Sequence, residues 1–209
     1  MKVGFQLNFL DFRNDIRKVI EILSKGHQIV VFLRETDVQK MKSLVLPDVE
    51  IRIIQERRNS LKNKLWTFLY SRFGLIPKSV NNYHLMERFL IIREKNKYRR
   101  QRALLLFYIF MLMPKWVSYD LYLNKLKYSK KTKIDDIDIF LCLTKISDDY
   151  FLARLLNDKK NVRIYVYSWD HPCKQKQFSY RAEYLVWNEG IKHDLVELQK
   201  VPKTKIKEI

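Results

Sequence analysis

Apolar positions set the reading of this chain before anything else does. Lys2 to Leu7 is a short apolar run that predicts a first strand. Asp11 can cap a helix in which Phe12, Ile16, Val19, Ile20 and Leu23 recur at helical spacing, and Lys25-Gly26 ends it. Ile29 to Leu33 is a continuous apolar run, as expected of a parallel strand buried on both faces. Together these make a βαβ unit with parallel strands and a right-handed crossover.

The same two periods continue. Val38 to Leu46 predicts a short helix stopped by Pro47, and Val49–Ile54 alternates as a third strand. The period then turns helical. Leu61, Leu65, Phe68, Leu69 and Phe73 share one face, and further helices are predicted over Tyr83–Arg93, Lys97–Leu112 and Trp116–Leu126. Ile137–Leu143 is a fourth strand, followed by a helix that starts at Ser147-Asp148-Asp149 and buries Phe151, Leu152, Leu155 and Leu156. Val162–Tyr167 and Tyr184–Trp187 are strands five and six, and Ile191–Lys200 is the last helix. Lys205–Ile209 starts as a strand, which predicts the opening of a further unit. The fold class is therefore α/β: a Rossmann-like parallel sheet of about six strands flanked by helices, interrupted at 57–133 by a helical insertion.

Charge changes the picture in one place. The chain of 209 residues carries +18, and residues 57–133 hold 19 Lys and Arg against Glu87, Glu94 and Asp120, or +16 of it. Such a segment fits a phosphorylated substrate, an anionic bilayer or nucleic acid, or forms a solvated helical surface. Nucleic acid is not expected, because no nucleic-acid-binding signature is present. Ala103–Met113, the longest apolar run, has 11 residues, against about 20 needed to span a bilayer. Arg99, Arg100 and Arg102 precede it, and Lys115 with Trp116 follows it. That order suits a helix lying in the headgroup region of a membrane, the alternative being a packed helix of the insertion.

The amino terminus reads as a strand rather than a signal peptide. Cys142 and Cys173 form neither a CxxC pair nor a zinc spacing, and Cys142 lies in an apolar strand. A soluble or peripheral protein of a reducing compartment is expected. The loop after strand one has no Gly-x-Gly-x-x-Gly, and the chain has no Gly-Lys-Ser/Thr, so neither a dinucleotide fingerprint nor a P-loop is present. No metal-ligand cluster is visible, and no cofactor is expected in this chain.

Ligands of open α/β sheets gather outside the carboxyl ends of the strands. Ser168-Trp169-Asp170-His171-Pro172 ends strand five, and Asn188-Glu189-Gly190 ends strand six. Asp170 is a candidate general base or a turn residue before Pro172. His171 is a candidate base, a donor to phosphate or a loop residue. Lys174 can meet a phosphate as a point charge. Asn188 and Glu189 either face the crevice or cap the helix from Gly190. Asn8 and Asp11 end strand one and are further candidates, while His27 reads as structural.

Several of these segments resemble known enzymes. The opening strand, the helix ending in Lys25-Gly26-His27 and the run Ile29-Val-Val-Phe32 resemble the amino-terminal domain of GT-B glycosyltransferases. Tyr167-Ser-Trp-Asp170 with Lys174, followed by Ala182-Glu-Tyr-Leu-Val-Trp-Asn-Glu189, resembles bacterial surface-polysaccharide transferases and, distantly, the CDP-glycerol glycerophosphotransferases. His171 stands where that pattern has Asn or a small polar residue. The resemblance covers 1–54 and about 134–209, not the insertion. It implies the acceptor-binding half of a glycosyltransferase of cell-surface glycan synthesis (lipopolysaccharide, capsule or teichoic-acid-like), truncated or pairing with a separate donor-binding half. Asp170 and His171 would then be catalytic, and Asn8, Asp11, Trp169, Lys174, Asn188 and Glu189 would bind substrate. The donor would be a nucleotide sugar held mainly by a carboxyl-terminal domain absent from 1–209, and the acceptor a glycan or lipid-linked glycan. The implied location is cytoplasmic, peripheral on the inner face of the plasma membrane. The rival expectation is a non-catalytic membrane or RNA binder that uses 57–133.

Overall fold

The computed structural model describes residues 1–7, 14–41, 49–55, 60–75, 95–143, 149–166 and 178–209. In chain order the elements are β1 (Lys2–Gln6), α1 (Asn14–Ser24), β2 (Gln28–Arg34), α2 (Glu35–Met41), β3 (Val49–Ile54), α3 (Leu61–Phe73), α4 (Lys97–Leu112), α5 (Tyr119–Lys125), β4 (Ile139–Leu143), α6 (Asp149–Asn157), β5 (Val162–Tyr165), β6 (Glu183–Val186), α7 (Glu189–Glu197) and β7 (Ile206–Glu208). The helix expected over Tyr83–Arg93 lies outside the described residues.

The seven strands form one all-parallel sheet in the order β3-β2-β1-β4-β5-β6-β7. This is a Rossmann-like arrangement. The strand order runs one way from β1 to β3 and the other way from β4 to β7. Right-handed crossovers therefore put α1 and α2 on one face and α6 and α7 on the other. The apolar continuity of β2 has this cause. Ile29, Val31 and Leu33 join the core under α1, with Ile20 of that helix, while Val30 and Phe32 join the core on the opposite face. On the α1 side, β5–β7 present charge instead: Glu183 Oε2 lies 3.3 Å from both Arg163 Nε and Lys207 Nζ.

The larger core is built around aromatic rings. Phe32 lies 5.5 Å from Phe140 and 5.2 Å from Phe151, centroid to centroid. Gly4 of β1 lies beneath them: a Cβ there would come within 2.9 Å of Phe32 and 3.0 Å of Phe140 and Ile137. Cys142 is fully buried in this core, and burial pushes its thiol up to about 12, so it stays protonated.

Three expectations change. The strand at the end of the chain does not open a new unit among the described residues. Ile206–Glu208 pairs with β6 (Tyr184↔Ile206, Val186↔Glu208) and becomes the seventh strand of this sheet. Its partner is separated from it by α7, so pairing could not be read from local pattern. The helix expected from Trp116 starts at Tyr119, because Val117 makes a parallel bridge to Gly74 and Ser118 caps the helix by accepting from Leu121 N at 3.1 Å. The segment 57–133 is also less of an insertion than its charge suggested. α5 supplies Tyr122 and Leu123 to the central core, and Asp120 accepts from Ser179 Oγ and from Tyr180 N (2.9 Å) on the approach to β6. Buried Asn63 of α3 exchanges two hydrogen bonds with the backbone of Lys127, at 2.7 and 2.8 Å. α3 and α5 are thus part of the β3-to-β4 crossover layer. No described helix is long and apolar enough to cross a membrane.

Candidate functional site

The order reversal lies between β1 and β4. The helices that follow these adjacent strands, α1 and α6, lie on opposite faces, the topology at which open α/β sheets take ligands at the carboxyl edge. Of the residues expected to work there, Asn8, Asp11, Trp169, Asp170, His171 and Lys174 lie outside the described residues. The described part of the edge holds Gln6, Asp149, Trp187, Asn188 and Glu189.

Gln6 is the last residue of β1, next to Phe32 of β2 and Cys142 of β4 in register. Its side chain is buried, and its amide oxygen has no hydrogen-bond partner among the described residues. A buried acceptor left unmade costs about 1–3 kcal/mol, so this amide stands out beside the switch point, after the apolar run Val3–Phe5. The signal was present in the sequence as the one polar side chain in Val3–Leu7. Asp149 starts α6, on the same edge as the end of β4. Its carboxylate accepts from Tyr119 Oη at 2.7 Å and Tyr122 Oη at 3.3 Å, and Tyr70 stacks on Tyr122 at 4.6 Å. Burial first, and then the Asp149 charge, raises both tyrosines well above the ordinary phenol range. They stay protonated donors, and Asp149 serves as an anchor between crossover layer and α6 rather than as a free base.

Asn188 and Glu189 sit at the start of α7. Asn188 has extended backbone, and its side-chain oxygen accepts from Ile191 N at 2.8 Å, which makes it the N-cap. Glu189 accepts from Lys192 Nζ at 2.8 Å, and its carboxyl is lowered first by that contact. Glu208 at the end of β7 is raised, chiefly by Glu189. The capping side of the two alternatives for Asn188 is therefore occupied. Asn188→Ala is expected to cost about 1 kcal/mol, read as a midpoint lower by roughly 2–4 °C for a chain of this size. An unchanged midpoint would show that the cap contributes nothing. Trp187 leaves β6 at the same edge and is 45% exposed. The alternation that buries Tyr184 and Val186 turns it outward, a consequence of strand period that the sequence reading passed over.

The basic candidates divide. Arg99, Arg100 and Arg102 are exposed on the first turns of α4, whose N-cap Asn96 accepts from Tyr98 N at 3.0 Å and Arg99 N at 3.2 Å. Lys115 is turned inward. Its ammonium donates to Phe110 O at 2.6 Å and Arg72 O at 2.8 Å and lies 3.5 Å from the centre of the Phe110 ring. Burial lowers its pKa. The physical reason is that α3 and α4 end side by side, and helix ends leave carbonyl oxygens without intrahelical donors. Lys115 therefore joins two helix ends rather than standing free for an outside anion. Trp116 is half exposed, and its backbone N–H donates to Phe73 O at 2.9 Å.

Among the described residues no group of three or more His, Cys, Asp or Glu could hold a metal ion. An open basin of about 780 Å³ between Lys2, Gly26, His27, Asp136 and Asp138 lies at the amino edge of the sheet, opposite the carboxyl edge, and its Lys2 and Asp136 already pair with each other. Comparison of the chain with known protein families, with curated proteins and with solved structures identifies no match.

Proposed function

We propose that this chain is the acceptor-side domain of a glycosyltransferase that builds cell-surface glycan, working against an anionic leaflet on the inner face of the plasma membrane. One observation supports the reading most. β5 and β6 are adjacent and parallel, with Tyr165 opposite Leu185 and Val166 N donating to Leu185 O at 2.9 Å. The strand that precedes Ser168-Trp-Asp170 in the sequence and the strand that precedes Trp187-Asn188 thus lie side by side and run the same way. An exposed Trp187 offers a flat apolar face to a sugar ring. In such a transfer the acceptor hydroxyl gives its proton to a base as it attacks the sugar carbon and the nucleoside phosphate leaves; Asp170 or His171 is the base in this reading.

Titration of the purified chain with sugar-phosphate and glycerol-phosphate acceptors tests it. Binding is expected, weakened about tenfold by Trp187→Ala, which corresponds to about 1.4 kcal/mol. No binding of any phosphorylated glycan would overturn the acceptor reading. The second reading, a non-catalytic binder of anionic surfaces, draws on the exposed cations of α4, and it predicts vesicle binding with no acceptor binding.

A further inference from the structure

α4 carries its polarity along its axis rather than around it. Its first six residues, Lys97–Arg102, are all exposed, and they include Lys97, Arg99, Arg100 and Arg102, none of which pairs with an acid among the described residues. There is no acid in the first turn. Four cations thus crowd the positive end of the helix dipole, an arrangement unfavourable in isolation and relieved by an external anion. The remaining turns, 103–112, hold no charge at all.

Those apolar turns are not packed away. Phe107 and Phe110 form a narrow buried stripe, while Leu105 is 61% exposed, Leu112 86%, and Leu106, Tyr108 and Ile109 also face out. A helix of a soluble domain turns such residues to the core. A contiguous exposed apolar face of this kind marks an interaction surface. Its length decides between crossing and entering: ten residues rise about 15 Å, half of a hydrocarbon core of about 30 Å.

The end of the helix is prepared for a dry environment. Lys115 satisfies Phe110 O and Arg72 O, and Met113 N and Trp116 N donate to Phe110 O and Phe73 O. Helix ends without partners are costly in lipid. Here Phe110 O, Arg72 O and Phe73 O are met from within the protein, and exposed Trp116 sits at that joint.

The geometry points to a single-leaflet wedge: the outward side of Leu105–Leu112, with Trp116, enters the hydrocarbon of one anionic leaflet, while Arg99, Arg100 and Arg102 rest on its phosphates. The inference rests on the peripheral-membrane reading above and adds to it the surface that penetrates. The acyl region covers the apolar turns and the phosphates neutralise the cations, so one occupant answers both halves of the helix.

Co-sedimentation of the full chain with phosphatidylcholine vesicles, with and without phosphatidylglycerol, at low and high salt, is the test. Wild type is expected to bind the anionic vesicles at least tenfold better than the neutral ones at low salt. The Arg99→Gln/Arg100→Gln/Arg102→Gln variant should lose that preference. Leu105→Gln/Ile109→Gln/Leu112→Gln should weaken binding at least tenfold while leaving the thermal midpoint in place, because these side chains are already in water. Lipids brominated along the acyl chain should quench tryptophan emission, and Trp116→Phe should remove most of that quenching. Absence of binding to anionic vesicles at low salt overturns the membrane reading and the wedge together. Wild-type binding by the leucine and isoleucine variant, with no acyl-chain quenching, overturns the wedge alone. Self-association that this variant abolishes, without vesicle binding, assigns the face to a second copy and also overturns the proposal.

Discussion

Gly4→Val is expected to destabilise the domain by about 3 kcal/mol, the upper part of the range for overpacking a filled core. Gly4 stands between two neighbours that cannot easily retreat. Phe32 belongs to β2 and Phe140 to β4, and both are fully buried against Phe151 of α6. A Cβ at residue 4 would lie 2.9–3.0 Å from three atoms, one each on Phe32, Phe140 and Ile137. The reason for glycine here is space rather than backbone conformation, since no glycine of the described chain has positive φ. Gly4→Ala should cost less, about 1–2 kcal/mol, because the added methyl group also reduces the entropy of the unfolded chain. Gly26→Ala supplies the contrast: nothing lies within 4 Å of a Cβ at that site, and the change should be neutral or slightly stabilising. For a chain of this size Gly4→Val should lower the thermal midpoint by roughly 6–12 °C. Equal midpoints for Gly4→Ala and Gly26→Ala would remove the packing argument.

The contrast between these two glycines also shows which parts of the molecule were legible in the sequence. Gly4 read as an ordinary strand residue and Gly26 as a left-handed helix stop; Gly26 does end the helix but without positive φ, and only the sheet reveals that Gly4 faces two aromatic rings from neighbouring strands. The elements themselves followed from period. Ile29–Leu33 could only be a doubly buried strand, and the acids at Asp148 and Asp149 marked a helix start. What period does not carry is the partner. Lys205–Ile209 was legible as a strand, but its pairing with β6 depends on α7 returning the chain to that edge. Side-chain destinations were equally hidden. Lys115 and Arg102 look alike in a basic segment, yet one closes two helix ends and the other faces water. At the candidate site the cap was one of two roles the sequence allowed Asn188, and the structure fills it. Gln6 and Trp187 were missed because each needs the strand's neighbours to give it meaning: a buried amide matters only where no partner reaches it, and an outward tryptophan only where an edge lies open.

Asp136→Ala is the second large effect, expected at about 2 kcal/mol. Asp136 precedes β4 and is the hub of a four-residue ion network on the face of β1–β3. Arg52 donates to it through both terminal nitrogens at 2.7 Å, and Lys2 Nζ donates at 2.8 Å. Glu50 completes the set, 2.6 Å from Arg52 Nε and 3.1 Å from Lys2 Nζ. Arg52 also lies over the Phe32 ring at 6.0 Å, so its guanidinium roofs the aromatic core. An exposed ion pair contributes about 0–1 kcal/mol and a buried pair broken on one side costs about 3–5 kcal/mol. The side chains here are 11% exposed for Arg52 and 28% for Asp136, between those limits. Removing the carboxylate leaves two cations facing a single Glu50. The pH dependence follows from the directions of the shifts. The Arg52 guanidinium first, and then Lys2, holds the Asp136 carboxyl well below the ordinary carboxylate range. Its contribution is therefore complete above the unfolded value of about 3.9 and shrinks as the pH falls below it. Lys2 is raised, chiefly by Asp136, so its share is complete below the unfolded lysine value of about 10.4 and fades above that value. Between about pH 5 and 9 the stability difference between wild type and Asp136→Asn should be level, and at pH 3 it should be visibly smaller. Urea titrations at pH 3, 5, 7 and 9 measure it. A difference as large at pH 3 as at pH 7 would mean that the carboxylate charge is not what holds the crossover segment to the sheet.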